Sequence, residues 1–411
     1  MKQKRKEVSK IPNLRFPEFS GEWMEGEIGN YFDFKNGLNK EKEFFGKGTP
    51  IINFKDVYHL TSIEQEHIKG LVELSKNEIE RYSAVKGDVF FTRTSETISD
   101  IGMSATLIEN IDNCVFSGFV LRARPIKPIF NETFTSYCFQ IENIRKEIVT
   151  KSSFTTRALT SGTLLNKVIF RFPKTKKEQT KIGNLLSIID DRIQTQNKII
   201  ENLQVQLTNL SHKIFTQEIR FKSENESNFP EWKEKELKYF CSFYSGGTPK
   251  STNKSYYLGD IPFIGSGNIS DDSVDSFITD EALKSSSAKL VNEGDLLYAL
   301  YGATSGEVAI SKISGAINQA VLCIKTTQNK EYLFYLLKNS KNRIVQTFIQ
   351  GGQGNLSTKI VKELKFSFPC LEEQTKIASF LSLIDEKLMN EMAVLKNLTD
   401  QKKYLLQQLF I

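Results

Sequence analysis

Five cysteines, three histidines and two tryptophans are few for 411 residues, and the shortages exclude whole classes of protein. Cys114, Cys138, Cys241, Cys323 and Cys370 are scattered, odd in number and never in CxxC spacing. That pattern argues against a disulfide framework and a structural zinc site, and for a reducing compartment. His59, His67 and His212 lie far apart, and without an HExxH run no metal centre is expected. No apolar run approaches the roughly 20 residues that a membrane helix needs. The basic opening "MKQKRKEVSK" has no apolar h-region behind it, so it does not read as a secretory signal. The expectation is a soluble, cytoplasmic protein with no membrane partner.

Signatures of catalysis are missing as well. "GGTPKST" (246–252) has glycines near a lysine at the wrong spacing for a phosphate loop. "GSGN" (265–268) lacks the third glycine of a dinucleotide fingerprint and has no βαβ alternation around it. The chain contains no Pro-Pro pair, hence no Asp/Asn-Pro-Pro-Tyr/Phe run of an amino-methyltransferase. Asp190-Asp191 and Asp271-Asp272 have no partner base and read as solvated surface. No catalytic residue, metal ligand or cofactor of its own is expected for this chain.

What remains has an ordinary globular composition, 39% hydrophobic and 25% charged, and a length suited to two or three domains. A net charge of +6 is compatible with a polyanionic partner without requiring one. The organisation comes from an internal repeat. Each half opens on an aromatic segment holding one tryptophan, "LRFPEFSGEW" (14–23) and "NFPEWKEKEL" (228–237). Each then carries a Gly-Asp turn before β-formers, "VKGDVFFTR" and "VNEGDLLYA". Each closes with a Gly/Ser/Thr loop, a β-run and a proline, "TSGTLLNKVIFRFP" and "GGQGNLSTKIVKELKFSFP". After both prolines comes the same helix. "EQTKIGNLLSIID" (178–190) and "EQTKIASFLSLID" (373–385) agree at nine of thirteen positions.

From Ile182 the apolar residues step by four and three through Leu186, Ile189, Ile193, Ile200, Leu203, Leu207, Leu210 and Ile214. In the second copy they run Ile377, Leu381, Ile384, Leu388, Leu395, Leu398, Leu405 and Leu409. These are heptad seams, broken by Gln196 in one and by Glu391 and Lys402 in the other. Amphipathic helices lying on neighbouring domains are the simpler reading, but seams of this length want another helix. Packing the two seams antiparallel satisfies both. Each helix would be about 60 Å long.

Several polar loops carry the residue types that bond base edges and phosphates, although ordinary surface loops would look similar. "IVTKSSFTTRALTSG" (148–162) holds Lys151, Ser152, Thr155, Arg157 and Ser161. At the same place in the second repeat, "VQTFIQGGQGNLSTK" (345–359) holds Gln350, Gln353, Asn355 and Lys359. A second corresponding pair, "FFTRTSETISD" and "YALYGATSGEVAI", offers Arg93 against Tyr301 and Thr304. A third sets Lys35 in "FKNGLNKEKEF" against Lys250 and Lys254 in "FYSGGTPKSTNKSYY".

In this order and duplicated, "PEWKEKEL", "SGGTPKS", "IPFIGSGNI", "EGDLLYALYGATSGEVAI", "GGQGNLSTKI" and the twice-used "EQTKI" helix carry a family likeness. The chain resembles the specificity subunit of type I restriction-modification enzymes across essentially its full length. The resemblance implies two target recognition domains, each reading one half of a bipartite site in double-stranded DNA, with the long helices setting the spacing. It implies no catalysis in this chain. Two methyltransferase subunits would dock on the helices and methylate adenine N6 with S-adenosylmethionine. Two restriction/motor subunits would use ATP and Mg. The fold class is then α+β, two pseudo-repeated mixed recognition domains separated by two long antiparallel coiled-coil helices. The expected layout is a basic tail (1–13), a first recognition domain (14–176), a central helix (177–217), a second recognition domain (218–371) and a C-terminal helix (372–411). The glycine-rich opening motif is clear only in the second domain, so the first domain's contact loops are the less well placed. A coiled-coil scaffold that never touches DNA, and a silent recognition-domain cassette, are the alternatives.

Overall fold

Two α-helices far outrun all others, Lys176–Phe215 with 40 residues and Leu371–Leu409 with 39. They belong to a computed structural model that describes residues 10–154, 156–348 and 355–411. The seam positions read from the heptads are buried or half-buried along both helices, while the residues between them are largely exposed. Contacts divide the chain into two compact units. One holds residues up to Asn197 together with Ala393–Ile411, the other Lys198–Met392. Each long helix therefore contributes one part to each unit.

The first unit is built on a five-stranded sheet in the order Phe32–Asn36, Val120–Pro125, Val89–Thr92, Ser104–Leu107, Ser62–Ile63. All neighbours are antiparallel except the last pair. The strand Val89–Thr92 reads VFFT and is buried at every position, as a run of β-formers covered on both faces must be. Beneath it lies a phenylalanine-rich core in which Phe32 stacks on Phe130 and Phe170 on Phe172, each pair with centroids 4.9 Å apart. Met24–Glu27 pairs with Ile169–Phe172 and ties the start of the unit to the strand before the central helix.

In the second unit a four-stranded sheet runs Cys241–Ser245, Val321–Thr326, Leu296–Ala299, Val308–Ile310. A second one runs Phe277–Ile278, Ile261–Ile264, Gly315–Ile317, Lys289–Val291. Lys233–Glu236 pairs with Lys365–Phe368 as Met24–Glu27 does with its partner.

The Gly-Asp pairs make the same device in both units. Gly87 and Gly294 take φ of +91° and +86°, a left-handed turn that glycine adopts without strain. Each following aspartate caps its own turn: Asp88 accepts from the Val85 N–H and Asp295 from the Asn292 N–H, both at 2.9 Å. Each also anchors a base on a neighbouring strand. Asp88 is fully buried and takes Arg124 in a bidentate pair, both bonds 2.7 Å, whereas Asp295 pairs with Lys325.

The repeated helix starts are fixed by long-range contacts. Glu178 accepts from Arg15 Nε at 2.8 Å and from Trp23 Nε1 at 3.1 Å. Glu373 accepts in the same way from Arg220 at 2.8 Å and from Trp232 Nε1 at 3.0 Å. Gln179 and Gln374, both fully buried, donate to the carbonyls of Pro173 and Pro369 and accept the N–H of Asn131 and Asn329. Those two asparagines in turn cap the helices Glu132–Cys138 and Lys330–Val345. In the first unit Leu409 and Phe410 complete the core, with Phe410 stacked on Phe134 at 5.4 Å. Ile214 and Phe215 fill the corresponding place in the second. The seam break at Lys402 is an ion pair with Asp190, 2.6 Å, and Asp190 also accepts from the Tyr137 hydroxyl at 2.8 Å.

Candidate nucleic-acid interface

Hydrogen bonds bring segments of two polar loops together in each repeat. In the first unit Thr94–Ser95 pairs with Ala158–Leu159, which pairs with Ser153–Phe154. The Thr160 N–H donates to the Arg93 carbonyl at 3.0 Å. Two segments separated by about sixty residues of sequence thus form one small sheet. The second unit makes the equivalent bond, Leu356 N–H to the Leu300 carbonyl, also 3.0 Å. There the Thr304 hydroxyl donates to the Ser266 carbonyl at 3.0 Å and adds the "GSGN" turn to the group.

The candidate residues divide by what already occupies them. Lys35, Arg93 and Ser161 come together around a cleft of about 400 Å³ beside the edge strand Phe32–Asn36. Lys35 is half-buried and donates to the Arg81 carbonyl. Burial lowers the pKa of its ammonium, and Arg122, Arg81 and Arg124 lower it further. Arg93 donates to the Gly118 carbonyl at 3.3 Å. Ser161 accepts the Leu164 N–H as the cap of the short helix Gly162–Leu165, and Ser152 donates to the Ile148 carbonyl at the end of Glu142–Lys151. Lys151 is paired with Glu147 at 3.2 Å. These last three are accounted for locally. Arg157 is exposed and lines a second cleft, of about 440 Å³.

In the second unit Lys250 is exposed on the loop before Ile261–Ile264, and Lys254 is exposed at the start of the short 3-10 helix Lys254–Tyr257. Asn355 and Lys359 are exposed on either side of Ser357, which caps the helix Thr358–Glu363. Tyr301 packs partly on the core, and burial raises its pKa. The bond from Leu356 to Leu300 brings Asn355 near Tyr301, whereas among the described residues no hydrogen bond ties Lys250 or Lys254 to that group. Thr155, Gln350 and Gln353 lie outside the described residues.

The second cleft of the first unit holds groups that the sequence reading passed over. Phe54 and Tyr58 stack at 5.4 Å along one side, and the Tyr58 hydroxyl donates to Asp100 at 3.1 Å. Asp100 is held below the usual carboxylate range, chiefly by the Thr97 hydroxyl. Phe119 lines the same cleft and is 66% exposed. The only hint in the sequence is a bulky residue after glycine in "SGFV", where a turn residue is expected.

Residues 230–399 match the family model described as type I restriction modification DNA specificity domain. The chain is 26% identical over 405 residues to the putative type I restriction enzyme MjaX specificity subunit of Methanocaldococcus jannaschii, covering 93% of this chain and 89% of that one. It is 31% identical over 188 residues to the MjaIX specificity subunit of the same organism, 43% of each chain. In fold it resembles the crystal structure of the type I restriction-modification S subunit from M. genitalium, with a TM-score of 0.62 at 18% identity over 98% of this chain and 99% of that one. Residues 230–399 thus carry the type I restriction modification DNA specificity domain, and along most of its length the chain is similar to type I restriction enzyme specificity subunits.

Proposed function

We propose that this chain is the DNA-reading subunit of a type I restriction-modification complex and has no catalysis of its own. Each recognition domain reads one half of a bipartite site in double-stranded DNA. The helices set the distance between the halves and dock two methyltransferase subunits. Those subunits methylate adenine N6 with S-adenosylmethionine, and two restriction/motor subunits supply ATP- and Mg-dependent cleavage. One observation carries the reading: the same backbone hydrogen bond joins corresponding segments in both units, yet the residues at corresponding places differ. Arg93, half-buried at its cleft, stands where the second unit has Leu300, which is buried in the core. A protein that reads two unlike half-sites needs a constant frame and variable contacts. The modest net charge of +6 further suggests that much of the salt-dependent grip on phosphates comes from partner subunits.

The test is a domain exchange. Replacing 232–369 with the same segment of a relative, and mapping methylated adenines in the host genome, is expected to change one half of the target only. A change in both halves overturns the modular reading. Genomic methylation that is unaltered when the chain is deleted favours a scaffold or a silent cassette.

A further inference from the structure

Phe119 stands on a turn that holds its backbone at several points and leaves its ring in solvent. The Val120 N–H closes the turn on the Ser117 carbonyl at 3.1 Å, and the Arg93 N–H donates to the Phe119 carbonyl at 3.2 Å. Gly118 on one side accepts from Arg93 Nη1 and donates to the Leu38 carbonyl at 2.6 Å. The second unit repeats this turn. Val321 N–H bonds the Asn318 carbonyl at 3.2 Å and Leu300 N–H the Ala320 carbonyl at 2.8 Å, so Ala320 stands where Phe119 does. Ala320 is buried, at 7% exposure, whereas Phe119 is 66% exposed. The turn therefore needs only a small residue. The large exposed ring is an addition the fold does not use, and leaving it in water forgoes stabilisation.

Its neighbours in the cleft say what the ring faces. Arg157 offers donors, Asp100 offers an acceptor held ionised, and Ser95 and Thr97 offer hydroxyls. A carboxylate lining the same cleft as the arginine disfavours a phosphate, but it suits the exocyclic amines of base edges. Donor, acceptor and apolar surface together match the major-groove edge of base pairs, where the apolar group is the thymine methyl. A wedge that separates stacked bases would stand away from such groups.

Resting on the DNA-reading function proposed above, we infer that Phe119 is a specificity-determining residue of the first recognition domain, packing its ring on a thymine 5-methyl group in one half-site. The experiment uses the chain assembled with its methyltransferase subunits and a duplex carrying its mapped site. Each thymine of the site is replaced in turn by deoxyuridine, which lacks only the methyl. One replacement, in one half-site, is expected to weaken binding about fourfold, as loss of one buried methyl does. Phe119→Ala should bind the thymine and deoxyuridine duplexes alike and leave the other half-site unaffected; Ala320 shows that the turn accepts alanine.

The inference is overturned if no deoxyuridine replacement weakens wild-type binding, or if Phe119→Ala keeps the discrimination. It is also overturned if Phe119→Ala fails to assemble with the methyltransferase subunits, since the ring would then be a protein contact. Should the wild-type complex not select the mapped duplex at all, the DNA-reading function itself falls.

Discussion

Trp23 donates its indole N–H to Glu178 at 3.1 Å across 155 residues of sequence. Trp232 does the same to Glu373 at 3.0 Å across 141. The two tryptophans of the chain thus mark the same joint twice, between the opening segment of a repeat and the helix that follows it. Each joint also holds an arginine, Arg15 or Arg220, on the same carboxylate.

Glu178→Ala leaves a largely buried guanidinium and a buried indole N–H without their acceptor. It is expected to cost about 3 kcal/mol. Glu373→Ala should cost roughly half as much, because Arg220 is 27% exposed against 13% for Arg15 and water can take over part of its role. Denaturation followed by fluorescence checks this, with Trp232→Phe isolating the signal of Trp23 and the reverse substitution isolating the other. A Trp23 transition unmoved by Glu178→Ala would contradict the assigned role.

The paired Gly-Asp turns give a second asymmetry. Asp88 is fully buried and faces two arginines, Arg124 in a bidentate pair and Arg122 with its Nε at 4.0 Å. Removing the carboxylate strands two cations, so Asp88→Ala is expected to destabilise the first unit by about 3 kcal/mol. Asp295 is paired instead with Lys325, which is 45% exposed, and Asp295→Ala should cost about 1 kcal/mol. Equal losses in urea unfolding would show that burial does not set the difference.

Much of the architecture was legible because it is periodic or repeated. The heptad steps locate both long helices, and the Gly-Asp pairs locate two buried strands. The role of the repeated "EQ" was not legible. Its partners Arg15 and Trp23 lie more than 150 residues away, and nothing local couples them to Glu178. Nor could the small sheet beneath Arg157 be read, since strands of two residues carry no alternation. Residue type alone singles out Arg93 and Arg157 and passes over Phe119. An exposed aromatic becomes conspicuous only when its burial is known. Ser152 and Ser161 illustrate the opposite case, residue types suited to DNA that are also accounted for as helix caps.

The seam of the central helix supports a prediction about spacing. Gln196 is buried at the seam position where the heptad is polar, and Ile200 resumes the apolar row four residues later. Inserting four residues beside Gln196 adds roughly one turn and about 6 Å of helix while nearly restoring the facing side. If the helices set the distance between the half-sites, the spacer in the methylated target should lengthen by about one or two base pairs at ~3.4 Å each. The bases of both half-sites should stay the same, because neither set of loops is touched. Mapping methylated adenines in a host carrying the insertion reads spacing and bases together. Loss of all methylation would indicate that the altered helix no longer assembles with its partner subunits. An unchanged spacer at full activity would remove the helices from the measurement of distance and leave them a purely structural part.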